Sequence, residues 1–353
     1  MTHRLRSLAL GCLLATVAGA RASAQGDAMA DMASRTSIHG FTDVSYLTGG
    51  ANTGRTSAFG LGQFDLYITS AVAERLTFLG ETVFEYDDRS DEFVVDVERV
   101  IAQYHLSDNL RLEAGKVHTP LGYWNNAYHH GFVMQPTIDR PQVVQFEDDG
   151  GPLPIHTVGL QLSGRDLTAA HLGFDVLVGN PLGNRPTTDN RNGASSVTAA
   201  VHAQITPALR IGVSGYRDRL VAGSGTPVGD TLVAPMTQTI GGGYVAYFSE
   251  RAETVIEGHD VANRSAALTT HSPNWFAYAG LRVGTRVVPY AMHEDVRMAD
   301  GDPYFAGDRF RRETLGVRYE YAASAVLKTE LRSLDRRSAD RATELGIQLG
   351  LAF

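Results

Sequence analysis

The chain has 353 residues, of which 43% are hydrophobic and 20% charged, with 37 glycines, 13 prolines and one cysteine. That composition excludes a disordered chain, a collagen and a disulfide scaffold. The formal net charge of −8 argues against a nucleic-acid binder, which needs a basic patch or stripe. Beyond residue 24, no apolar run approaches the ~18 residues of a spanning helix.

The N-terminus has the three-part form of a secretory signal. Met1–Ser7 carries Arg4 and Arg6, Leu8–Ala20 is apolar, and Ala22-Ser23-Ala24 is a small-x-small cleavage site before Gln25. Cys12 lies inside the apolar run, which continues through Leu13, Leu14 and Val17. Lipidation at that cysteine is therefore disfavoured, and the exported chain has no thiol. The expected organisation is a cleaved signal over 1–24, a segment over 25–35 too short to plug a lumen, and one β domain over 36–353.

Alternation at the strand period then runs along the whole domain. Phe64, Leu66 and Ile68 alternate with Asp65 and Tyr67; Phe78, Phe84 and Tyr86 alternate with Glu81 and Glu85. The pattern continues through Leu172–Val178, Val197–Ile205, Leu209–Gly215, Trp275–Val283, Leu315–Tyr321 and Leu327–Leu331. Only Phe93–His105 is ambiguous in phase, because Arg99 and Gln103 share parity with Val95 and Val97, which predicts a bulge. Short connections (71–75, 106–109, 164–167, 206–208, 249–251, 284–286, 322–324) alternate with longer polar ones. The longer ones are expected at 48–57, 87–92, 180–195, 222–235, 261–272, 297–308 and 335–341. An apolar face outside, charge inside and turns of alternating length describe an up-and-down barrel in lipid, where an open sheet edge is not tolerated. The count is about sixteen strands, with fourteen as the alternative.

On the polar face, acids occur at Asp43, Asp65, Glu81, Glu85, Asp175, Glu253, Glu257, Glu320, Glu330 and Glu344. Basic residues occur at Arg99, Arg111, Arg210, Arg282, Arg312, Arg318, Lys328 and Arg332, crowding the late strands. Opposed walls of this kind set up a transverse field; the alternative is ion pairing that stiffens the wall. The longest connection, 122–155, follows the fifth strand and carries Trp124, His129, His130, Asp139 and Glu147-Asp148-Asp149. Its Trp124, Phe132, Val133 and Met134 would be exposed to water on an outward loop, so it is expected to fold inward.

Catalytic and metal signatures are weak. His129-His130 stands without a His-x-x-x-His or His-Glu-x-x-His pattern, so no metal site is assigned. Asp300-Gly301-Asp302 and Glu147–Asp149 lack the twelve-residue calcium loop. Nucleophile-elbow and phosphate-loop motifs are absent, and no cofactor is implied. A serine, histidine and acid site at a barrel rim would leave no spacing to read, which keeps an outer-membrane phospholipase or protease as the alternative function, beside an adhesion or structural barrel.

The chain ends in Leu345, Ile347, Leu349, Leu351 and Phe353, alternating with Gly346, Gln348, Gly350 and Ala352. Leu349, Leu351 and Phe353 resemble the closing-strand assembly signal of bacterial outer-membrane barrels. Gly115-Lys116-Val117-His118-Thr119-Pro120-Leu121-Gly122 is similar to the Gly-Lys/Arg-x-x-x-Pro-x-Gly turn of phosphate-selective-type and related porins. The chain departs from that group in having lysine only at 116 and 328. The resemblance to the porin superfamily implies an all-β, closed antiparallel transmembrane barrel of about sixteen strands, its third loop folded into the lumen. It implies a passive channel for small hydrophilic solutes or ions in the outer membrane of a Gram-negative cell, not an enzyme. The pore and constriction candidates are Arg99, Arg111, Lys116, His118, His129, His130, Asp139, Glu147, Asp148, Asp149, Arg282, Arg312, Arg318, Lys328 and Arg332. Expected partners are outer-membrane lipid and lipopolysaccharide, the barrel-assembly machinery and the solutes, with a homotrimer as the assembly the resemblance admits.

Overall fold

The computed structural model describes residues 35–49, 57–87, 92–128, 135–146, 150–180, 194–227 and 229–353. Sixteen strands account for most of them: β1 (Thr36–Leu47), β2 (Ala58–Ala73), β3 (Leu76–Asp87), β4 (Glu92–His105), β5 (Leu110–His118), β6 (His156–Gly164), β7 (Leu172–Gly179) and β8 (Ser196–Gln204) form the first half. The second half is β9 (Leu209–Leu220), β10 (Met236–Phe248), β11 (Ala252–Ser265), β12 (Thr269–Leu281), β13 (Val287–Met298), β14 (Asp308–Ala322), β15 (Ala325–Arg336) and β16 (Ala339–Ala352). Each pairs antiparallel with its chain neighbours, and β1 pairs with β16 from Phe41↔Ala352 to Leu47↔Gly346, so the sheet has no edge. The signal-peptide expectation lies outside the described residues.

Alternation fixes which way each side chain points. Phe59, Leu61, Val213, Leu315 and Leu351 are exposed on the outer face, while their strand neighbours Asp65, Glu81, Thr314 and Lys328 are buried within. A continuous outer surface of this kind would be an aggregation hazard in water, and it is the expected surface of a barrel in hydrocarbon. In β4 the phase breaks as expected. Glu81 pairs with Arg99 but Thr82 pairs with Val97, leaving Glu98 as the extra residue of a bulge. Val95, Val97 and Val100 all remain outside, and Arg99 is brought into the lumen.

Two connections are much shorter than expected. The β11–β12 ladder runs on to Arg264↔Thr269, and β15–β16 runs on to Arg336↔Ala339. Asn263, Arg264, Thr269 and Thr270 are polar, but backbone pairing does not depend on side-chain polarity. A strand that continues past the apolar band is free to carry polar residues on both faces.

The lumen is also not polar throughout, as the alternation had suggested. The inner faces of β9–β14 bury Tyr216, Leu220, Ile240, Val255, Phe276, Tyr278, Tyr290 and Met292 in one apolar cluster. That cluster includes Leu121, Trp124, Val143, Val144, Leu153 and Ile155 from the β5–β6 connection. A lumen wall can be apolar where chain, not water, covers it.

The ring closes at its last residue. Gly40 and Phe353 exchange backbone hydrogen bonds, both 2.9 Å, and the Phe353 ring stacks on Phe64 at 5.8 Å between centroids. A Cβ on Gly40 would stand 2.3 Å from the Phe353 ring, so glycine is what lets the ring lie across β1. Deleting Phe353, or replacing Gly40 by Val, should lower the amount of heat-modifiable, folded protein in membranes; normal amounts would count against this closure. Leu315→Arg, in the middle of β14, should cost about 2–4 kcal/mol, against ~0–1 kcal/mol for Leu281→Arg at the end of β12. Reversible unfolding in phospholipid measures both, and equal costs would contradict the assigned height in the membrane.

Candidate functional site

The β5–β6 connection, 119–155, leaves the wall at His118 and returns at His156. Among its described residues, regular backbone structure is confined to one short helix α1 (Trp124–Ala127) and a 3-10 turn at Gln142–Val144. Its remaining backbone donors need partners elsewhere. They find them on the inner faces of strands far away in sequence.

Three wall carboxylates accept these amides. Glu257 of β11 accepts from the N–H of Tyr123 (2.7 Å) and of Trp124 (3.0 Å). Glu294 of β13 accepts from the N–H of Gln142 (2.6 Å), and Glu330 of β15 from the N–H of Ile138 (2.7 Å). Gly122 makes the first contact possible: its φ is +72°, and a Cβ would stand 1.8 Å from the Glu257 carboxylate. Trp124 is fully buried edge-on against Phe276 and Tyr278.

Cations balance these buried acids. Arg312 pairs with Glu294, reaches Asp139 at 3.2 Å and donates to the Arg140 carbonyl. Arg332 pairs with Glu330 at 2.6 Å and with Asp139 at 2.7 Å. Lys328 Nζ donates to the Thr137 carbonyl, and Arg318 donates to the Pro136 carbonyl while pairing with Glu253 at 2.8 Å. Tyr290 donates its hydroxyl to Glu330 at 2.7 Å. A buried charge is costly unless it is paired in this way.

The other side of the connection borders an open space. A cavity of about 390 Å³ lies between Pro120–Ala127 and the walls from β2 to β10. Its charged lining is Arg99, Arg111, Glu113, Arg165, Asp175 and Arg210, with His118, His202, Tyr123 and Tyr244. Burial pushes the Tyr123 and Tyr128 phenols of the connection above their ordinary range, so both stay protonated.

The sequence candidates within the described residues therefore divide into four groups, and five others lie outside them. Arg99, Arg111 and His118 border the cavity. Arg312, Arg318, Lys328 and Arg332 of the wall hold the connection through its Asp139 carboxylate and its carbonyls. Arg282 sits apart at the short-turn end, paired with Glu253 and Glu320, both at 2.9 Å. Lys116 does not line the cavity: it is in register with outward-facing Val100, and its Nζ donates to the Val97 carbonyl at 2.7 Å. His129, His130, Glu147, Asp148 and Asp149 lie outside the described residues.

Sequence reasoning missed Glu294 and Arg165. Glu294 sits in the run His293-Glu294-Asp295, where three polar residues hide the parity. Arg165 lies just past β6 in a turn. The acidic outer loop at 300–302 is engaged by protein donors. Asp300 pairs with Arg337 at 2.8 Å, which holds its carboxyl below the usual range, and Asp302 accepts from the N–H groups of Tyr304 and Phe305. Among the described residues, no three His, Cys, Asp or Glu side chains gather as metal ligands.

No protein-family model matches the chain, and no curated protein matches it. Solved structures do. OmpF of Salmonella typhi, in complex with daunomycin, is 11% identical, with 90% of this chain and 97% of that chain covered at a TM-score of 0.65. The anion-selective porin of Comamonas acidovorans is 12% identical, with 90% and 99% covered and a TM-score of 0.63. OmpT, an outer membrane protein of Vibrio cholerae, is 15% identical, with 90% and 97% covered and a TM-score of 0.62. The chain has the fold of the sixteen-stranded porin-type barrels.

Replacing Glu330 by Ala would strand the buried Ile138 amide and leave the Arg332 guanidinium with Asp139 alone, a change of up to about 3–5 kcal/mol for breaking a buried pair. The barrel ladder does not depend on this contact. The variant should therefore keep its heat-modifiable band while the connection becomes sensitive to protease. Unchanged protease resistance would show that the anchor does not hold the loop.

Proposed function

We propose that this protein is an outer-membrane channel through which small hydrophilic solutes or ions diffuse passively. The observation that carries the reading is the open, polar-lined cavity between the β5–β6 connection and one wall of a closed barrel whose outer face is apolar. In this reading the connection sets the size limit: it fills the β9–β14 half of the lumen and leaves the other half to water. Charges bordering that half set the preference among ions. Export by the 1–24 signal, insertion by the barrel-assembly machinery through Phe353, a setting of lipid and lipopolysaccharide, and assembly as a homotrimer complete the proposal. The trimer form solved for the Vibrio cholerae OmpT supports that last point by fold alone.

Single-channel recording in planar bilayers tests it. The purified protein should give discrete, ohmic steps, and deletion of residues 126–142 should enlarge them and admit larger sugars in liposome swelling. A sealed barrel, as an enzyme or an adhesin would have, gives no steps. Enlarged steps after the deletion would identify the connection as the constriction, and unchanged steps would place the limiting radius elsewhere.

A further inference from the structure

The charged residues bordering the cavity are not symmetric about their ion pairs. Arg99 is 20% exposed and its partner Glu81 2%; Arg111 is 38% exposed and Glu113 5%; Arg165 is 43% exposed and Asp175 8%. In each pair the guanidinium is the more exposed partner and the carboxylate the more buried one. The wall also occupies the carboxylates with other donors. Glu113 accepts from Gln103 at 2.8 Å, and Asp175 accepts from the Ser163 hydroxyl at 2.7 Å. A guanidinium has five N–H donors and a carboxylate cannot engage them all, so donors remain for a solute.

Arg210 goes further. Among the described residues no carboxylate lies within ion-pair distance of it, and its Nε has no hydrogen-bond partner. It projects from β9 beside the phenols of Tyr123 and Tyr244, which border the same cavity. Both hydroxyls can donate to an anion that the guanidinium attracts. Four arginines thus border the cavity against two carboxylates, Glu113 and Asp175, although the chain as a whole is acidic.

We propose that the passage selects small anions, and that Arg210, with the Tyr123 and Tyr244 hydroxyls, is the point where a passing anion sheds part of its water for protein donors. The proposal rests on the channel reading above. The pairs at Arg99, Arg111 and Arg165 supply a cationic surface leading to that point, since a low-dielectric wall concentrates the field of charges at the lumen. The more buried carboxylates hold the arginines in place, and the arginines outnumber those that border the cavity. Such a surface favours monovalent inorganic anions and small carboxylates over cations of the same size.

Reversal potentials across a potassium chloride gradient test this with the full-length protein in a neutral bilayer. The wild type should pass chloride in preference to potassium. Arg210→Gln should lower the chloride-to-potassium permeability ratio by about twofold or more, through loss of one fixed charge bordering the passage. Arg210→Lys keeps the charge and should keep the preference. Arg217→Gln, on the outer face of the same strand, should leave the ratio unchanged. Heat modifiability confirms that each variant is folded, and the wild-type measurement needs no variant. A conducting wild type that prefers potassium, or neither ion, would overturn anion selection and leave the channel reading standing. A folded Arg210→Gln with the wild-type ratio would overturn the role of Arg210. Absence of conductance in the wild type would overturn the channel reading, and the selectivity proposal with it.

Discussion

Everything particular to this barrel depends on three buried carboxylates accepting backbone amides from one connection. Sixteen strands would close without Glu257, Glu294 and Glu330, because closure depends on the backbone ladder and the outer apolar face. A connection of this length with so little helix has amides that must be satisfied by water or by protein. Charged acceptors are stronger than carbonyls and are held fast here by Arg312, Arg332, Tyr290 and His259. The amides therefore go to the wall, and the apolar side chains of the same segment are carried with them into a dry interior.

The result is a barrel with two unlike halves. On the β9–β14 side the lumen is packed like a protein core, with Trp124, Phe276 and Tyr278 meeting edge to face. On the other side it is lined by arginines, histidines and glutamines over an open cavity. The late-strand arginines that look like pore residues in the sequence belong mostly to the packed half. There they neutralise buried acids and hold loop carbonyls, a structural task. The arginines that border the open cavity come instead from β4, β5, β9 and the turn after β6.

The legible part of the sequence was whatever depends on period two. Phe64, Leu66 and Ile68 against Asp65, or Leu349, Leu351 and Phe353 against Gln348, state both the strand and its orientation. The bulge at Glu98 was legible as a break in that period. Polar residues near the outer ends were misleading: Asn263 to Thr270 suggest a loop, yet the ladder runs through them. The division of the lumen could not be read. Tyr278 and Tyr290 occupy inward positions that suit either water or a packed segment, and only the path of a connection more than a hundred residues away decides which. For the same reason Arg312 and Arg111 look alike in sequence and have different surroundings in the fold.

The separations along the chain carry a kinetic consequence. Tyr123 meets Glu257, and Ile138 meets Glu330, across 134 and 192 residues, and β1 meets β16 across still more. Contacts of such high order form late, after the loop entropy between them has been overcome. The docking segment emerges early and cannot be fully fastened until β15 stands in place, by which time the sheet is nearly a ring. Narrowing of the lumen is thereby tied to completion of the wall. A half-built barrel holds an unfastened segment with its tryptophan exposed, which is a form that quality-control proteases can distinguish from the finished one.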